Sequence, residues 1–159
     1  MKQSLRLIGI LAIFVFLLMQ VVRPDQSNPR IHPEQTIEAQ MHVPADVATI
    51  LHSACRDCHT DSTVWKWYGN IAPGSWLMVS DVNSGRNKMD FSQWTKLSKA
   101  QQEDRLKGIC DEVTKGDMPL WYYRPLHPEA RLSDEEVQAI YDWTREQRRI
   151  LRDQVNRGE

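Results

Sequence analysis

The chain has 159 residues, 20 of them Lys or Arg and 21 Asp or Glu, and is 41% hydrophobic. Lys2 and Arg6 are the only charged residues among the first 22, so the rest carries 18 basic against 21 acidic groups, with no positive excess of the kind a nucleic-acid binder requires. A mean hydropathy of −0.54 excludes a polytopic membrane protein. The length suits one domain of roughly 110 residues beyond an N-terminal segment and a linker.

Residues 7–22 form an unbroken apolar run flanked by Arg6 and by Arg23-Pro24. At 1.5 Å per residue a helix over this run reaches about 24 Å, short of a roughly 30 Å hydrocarbon core. Leu5 and the snorkelling stems of Arg6 and Arg23 supply the difference. Met19-Gln-Val-Val22 offers no small-residue cleavage pattern, so residues 1–22 read as a transmembrane signal-anchor rather than a cleaved leader. The positive residues before the span place everything after Arg23 outside the cytoplasm. Residues 23–43, with Pro24, Pro29 and Pro33 among polar residues, read as a semi-extended linker that holds the domain away from the membrane.

Helical spacing begins after Pro44, where Val47, Ile50, Leu51 and Ala54 share a face that runs into Cys55. Turn chemistry at Asn70-Ile-Ala-Pro-Gly74 precedes a short helix predicted to bury Trp76, Leu77 and Val79. Residues 97–115 repeat the helical pattern with Leu106, Ile109, Cys110 and Val113, and Gly116 stands where a helix-ending residue belongs. Asp117-Met-Pro119 must be loop, because a residue before proline avoids the α region. Ser133 and Glu136 form a capping box ahead of Val137, Ile140, Tyr141 and Thr144. No alternating strand pattern is present, so the fold class is all-α: a helical domain with long loops over residues 44–152, then a polar tail at 153–159.

Cys55-Arg-Asp-Cys-His59 carries the chemistry. C-x-x-C-H is the attachment signal for c-type haem. Two thiols three positions apart at the end of a helix can both add to vinyl groups on one edge of a porphyrin, and the next histidine then serves as proximal axial ligand. A thioredoxin-like redox pair would need a βαβ context, half a zinc site would need a second Cys/His pair, and a Cys55–Cys58 disulfide is open to any extracytoplasmic chain. The reading is one covalent haem c on Cys55 and Cys58, with His59 as ligand.

For the distal axial position Met118 is the leading candidate, lying in a loop between two predicted helices and before Pro119, an order similar to that of small class I cytochromes c. His127, in a Leu-His-Pro loop, is the bis-histidine alternative. Met89 also competes, whereas Met78 reads as core filler. Trp67, Tyr68 and Trp76, with Trp65 and Trp94 nearby, are candidates for an aromatic wall around the cofactor, although ordinary core is an equal reading for each. Arg86 and Lys88 are candidate propionate partners. Cys110 falls on a buried helical face and reads as an inert thiol.

Beyond these residues the sequence resembles the haem-binding domain family of small bacterial periplasmic proteins with one c-type haem, from Leu51 to about Trp143. The resemblance rests on Cys55-Arg-Asp-Cys-His59, Trp67-Tyr-Gly-Asn-Ile-Ala-Pro73, Trp76, Gly85-Arg86, Phe91-Ser-Gln-Trp94, Met118-Pro119, Tyr123, His127-Pro128, Leu132-Ser133 and Trp143. It implies a monohaem, cytochrome c-like protein on the periplasmic side of a bacterial inner membrane, anchored by one helix. The aromatic insert at 65–94 departs from a minimal cytochrome c outline. The expected function is single-electron transfer with a redox partner protein in the periplasm or membrane, and no nucleic-acid partner. The alternative is a haem enzyme or gas sensor, such as a peroxidase, with an open sixth site and His127 or His52 as its distal acid–base residue.

Overall fold

Every regular element in the computed structural model, which describes residues 2–157, is helical. The first, α1 (Lys2–Met19), has a mean hydropathy of 1.8 and no buried residue. Its apolar side chains stand clear of the rest of the chain. It is long and apolar enough to cross a membrane by length and composition.

The stretch 23–43, expected as a semi-extended linker, also carries short local structure. It carries a 3₁₀ turn at Pro33–Gln35 and a single α-turn, α2 (Ile37–Gln40), capped by the Thr36 side chain accepting from the Ala39 N–H at 3.3 Å. Ile37 is fully buried in the core, where it packs with Phe91 and Trp94. The few large apolar residues of this proline-containing stretch, Ile31, Ile37, Met41 and Val43, show no sustained period, so sequence spacing could not reveal this burial.

Helix α3 (Ala45–Ile50) continues through a π-helical turn (Leu51–Cys55) into α4 (Arg56–His59). The wider π turn sits immediately before the second half of the Cys55–His59 motif, a placement common at functional sites. Helix α5 (Gly74–Lys88) is longer than predicted and turns a different face inward. It buries Met78, Val79, Val82 and Gly85, while Leu77 is half exposed and Trp76 only partly covered. Met78 is therefore core filler, as its spacing indicated.

Helix α6 (Lys99–Lys115) and helix α7 (Asp134–Arg157) form the largest packed pair and run antiparallel, since Glu103 early in α6 pairs with Arg148 and Arg152 late in α7. Helix α6 buries Leu106, Ile109, Cys110 and Val113. Gly116 ends it in the left-handed region (φ 76°), with the Gly116 N–H donating to the Val113 carbonyl and the Asp117 N–H to the Glu112 carbonyl. This is a Schellman ending, which a residue with a Cβ closes only with strain. The capping box opening α7 is formed in both directions: the Ser133 N–H donates to Glu136 at 2.8 Å and the Glu136 N–H to Ser133 Oγ at 3.2 Å. Helix α7 runs to Arg157, so the chain has no break at 152 and residues 153–157 extend the helix.

Candidate functional site

A cavity of about 440 Å³ lies where α4, α5, α6 and the loop after α6 meet. Cys55, Cys58, His59 and Met118 all line it, although 59 positions separate His59 from Met118. Ala54, Phe91, Ile109, Val113, Leu120 and Leu132 supply apolar wall. Such a volume falls within the roughly 300–1,000 Å³ of small-molecule and cofactor sites.

The motif side is built by close approach. A Cβ on Gly85 would collide with the Cys58 carbonyl oxygen and lie 3.1 Å from the Cys58 Cβ, so only glycine lets α5 pack against α4 here. Beyond the motif the chain folds back. Thr60 Oγ1 donates to the Arg56 carbonyl at 2.8 Å, and Thr63 Oγ1 donates to the Asp57 carbonyl at 2.7 Å. The Asp57 carboxylate accepts from the Val64 N–H and the Tyr123 hydroxyl, each at 3.2 Å.

His59 is held in one tautomer. Its Nδ1 lies 3.0 Å from the Met89 carbonyl oxygen, so Nδ1 carries the proton and Nε2 keeps its lone pair. Burial lowers the imidazole pKa, which keeps the ring neutral. A backbone acceptor on the far nitrogen is the usual second-shell arrangement of a metal-ligating histidine. Phe91 packs beside the ring with centroids 5.8 Å apart.

Cys55, Cys58 and Cys110 are free thiols. Burial is the main cause that pushes both Cys55 and Cys58 up to about 12, the opposite of the depressed values of thioredoxin-like nucleophiles. Cys110 is buried, as its helical position predicted. Among the described residues no cluster of three or more His, Cys, Asp or Glu could hold a metal ion, so the half-zinc-site reading finds no further ligands.

Four expected cofactor-binding residues do not line this cavity. Trp67 is 72% exposed and packs edge-on against Tyr68. Tyr68 instead shares a 2.7 Å hydrogen bond with His127 Nε2. Trp76 donates its indole N–H to the Val22 carbonyl at 2.8 Å. Arg86 donates to the Thr60 carbonyl, Thr63 Oγ1, the Ser27 carbonyl and Asn28 Oδ1, and stands 3.7 Å from Asp61. Tyr68, Trp76 and Arg86 tie the fold together around the motif, because each has a polar partner far away in sequence that spacing could not show, whereas Trp67 makes a ring contact with its neighbour Tyr68. Lys88, the other candidate cation, does line the cavity, with Arg105 and Lys107.

His127 is 2% exposed, engages Tyr68 and Glu129 through its two ring nitrogens, and stacks on Tyr123 at 3.8 Å. It does not line the cavity, and neither does the exposed His52, which contacts Arg56. Met89 lines the cavity and holds His59 through its own carbonyl. Sequence reasoning missed the parts played by Tyr122 and Tyr123. Tyr122 donates to the Asp81 carboxylate at 3.1 Å and Tyr123 to Asp57, which fastens the Met118 loop to α5 and α4. Their position three and four residues after Pro119, in the same loop as Met118, was the available signal.

A family model described as a haem-binding domain matches residues 14–146, most of the chain, and the chain belongs to that family. No curated protein and no solved structure matches it. The cavity fits the group this family binds. It offers two neutral thiols, an imidazole with its outer nitrogen already committed, a thioether, apolar walls, and Lys88, Arg105 and Lys107 as cations able to face carboxylates.

Proposed function

Proceeding from membership in the haem-binding domain family, we propose that this chain is a membrane-anchored monohaem c-type cytochrome that passes single electrons to and from a redox partner protein in the periplasm or membrane. The observation that carries the reading is the convergence of Cys55, Cys58, His59 and Met118 on one cavity. A haem bound there supplies the one-electron chemistry.

The chain's own residues do the rest. Cys55 and Cys58 would hold the haem as two thioethers, an attachment that needs no oxidant because each thiol supplies both the sulfur and the proton. His59 presents its Nε2 lone pair, oriented by the Met89 carbonyl. Met118, set by the glycine cap of α6, presents its sulfur from the loop. Met89 is the weaker distal candidate because its backbone already adjoins the His59 ring. Lys88 would face a propionate, while Arg105 and Lys107, paired with Asp104 and Asp111, would have to share their charge to do so. Thioether opposite imidazole favours a higher reduction potential than two imidazoles. The peroxidase-like alternative loses its imidazole acid–base groups, because His127 and His52 lie off the cavity.

Attachment is tested by expressing the chain with a working haem-maturation system, denaturing it and extracting with acid–acetone. Haem should stay with the wild-type polypeptide and be extracted from Cys55→Ala/Cys58→Ala. Complete extraction from the wild type would reduce the reading to a non-covalent haem protein.

A further inference from the structure

The end of α1 is bonded directly to the domain. The Ala72 N–H donates to Gln20 Oε1 at 2.9 Å, and Gln20 Nε2 donates back to the Ala72 carbonyl at 3.2 Å. Trp76 Nε1 donates to the Val22 carbonyl, and Gln26 Nε2 to the Gly69 carbonyl. Arg86 then holds Ser27 and Asn28. The chain leaving the apolar helix is thus fastened to residues 69–76 before it can act as a tether.

Exposed apolar side chains concentrate beside this junction. Trp67 is 72% exposed, Leu77 50% and Ile71 42%, each within five residues of Ala72 or Trp76, and Val64 is exposed nearby. Residues 64–77 contain Lys66 and no acidic residue, and Arg23 is exposed at the exit of the helix. Two bonded partners of this segment, Gln20 and Val22, belong to the last turn and end of the apolar run.

We infer that residues 64–77 form a membrane seat, in which Trp67, Ile71 and Leu77 enter the headgroup–acyl boundary of the bilayer that α1 crosses. This rests on the reading of α1 as an anchor. The geometry leaves little choice of depth: if Val22 ends the span, residues bonded to Gln20 and Val22 lie in the interfacial layer. Tryptophan is favoured there, with its apolar ring in lipid and its N–H wet. Lys66 and Arg23 suit anionic headgroups. The haem-binding domain therefore rests on the membrane in a fixed orientation instead of swinging on a linker, and its cavity faces partners at one set height.

The test uses the full chain, loaded with haem and reconstituted in vesicles of equal parts phosphatidylglycerol and phosphatidylethanolamine. A photoreactive benzophenone amino acid replaces Trp67, Ile71 or Lys115 in separate variants. Lys115 is the exposed control at the end of α6, outside residues 64–77. After illumination, mass spectrometry should find lipid adducts at 67 and 71 and none at 115, with the chain resisting carbonate extraction. Carbonate resistance with no lipid adduct at 67 and 71, or with adducts only to protein, overturns the seat and leaves the anchor. Release by carbonate overturns the anchor, and the seat with it.

Discussion

On the α4–α5 side of the cavity, Thr60, Thr63 and Arg86 lock the residues after His59 to one another and to Asn28. The side formed by residues 117–123 hangs from α6 by one glycine cap and from α4 and α5 by two tyrosine hydroxyls. Both sides present one candidate ligand. The histidine side is held by several hydrogen bonds around the buried Asp61 carboxylate, so the loss of Arg86 there leaves a charge stranded. The methionine side is held by fewer such hydrogen bonds, so it should move before the fold fails. On the proposed reading, His59 would be the more rigidly held of the two candidate ligands.

The largest expected effect falls on the rigid side. Arg86→Ala leaves Asp61, only 2% exposed at its side chain, without its cation and removes donors to Thr60, Thr63 and Asn28. Breaking such a buried pair should cost about 3–5 kcal/mol in urea unfolding, with Arg86→Lys recovering part of it. A loss below about 1 kcal/mol, the range of an exposed ion pair, would show that the histidine side is not held as described. Next comes Gly85→Ala, which forces a methyl against the Cys58 carbonyl. Overpacking of this kind costs about 1–3 kcal/mol, and the yield of attached haem should fall with it.

Gly116→Ala strains the left-handed cap that sets Met118. It should cost about 1 kcal/mol while haem remains attached, and the distal ligand should show the change more than the unfolding curve does. An unfolding cost larger than that of Gly85→Ala would invert the comparison between the two sides. The smallest effect is electrostatic. Burial, with a contribution from Asp61, raises the Asp90 carboxyl to about 6. The folded chain then binds a proton that the unfolded chain has already released, so this group's contribution should fall as pH rises from about 4 to about 6. Asp90→Asn, which can still accept from the Ser92 N–H, should flatten that fall; an unchanged pH profile would remove Asp90 as its source.

Local signals in the sequence were reliable wherever the partners are also local. Gly116, the Ser133–Glu136 box and the buried face of α6 all depend on residues within a few positions, and each appears as its spacing predicts. Cys55, Cys58, His59 and Met118 were singled out by residue type and position, and the fold brings all four to one cavity. What could not be read depends on distant partners. Gly85 is needed because Cys58 comes close, Arg86 because Asn28 and Thr63 do, and the inward face of α5 is chosen by α4 and residues 67–70. Trp67 and Trp76 looked like cofactor wall because aromatic density has no direction; only the junction with Gln20 and Val22 shows which way that segment faces.

We propose that His59 and Met118 hold one haem between them in this cavity. The ferric absorption spectrum of the haem-loaded chain and of Met118→Ala tests it most directly. The wild type should show the weak far-red charge-transfer band of sulfur ligation, and Met118→Ala should lose it, lower the reduction potential and admit carbon monoxide to the ferrous form. Met89→Ala and His127→Ala should keep the band. A wild-type spectrum without the band, or one that survives Met118→Ala and disappears in Met89→Ala, would contradict the account.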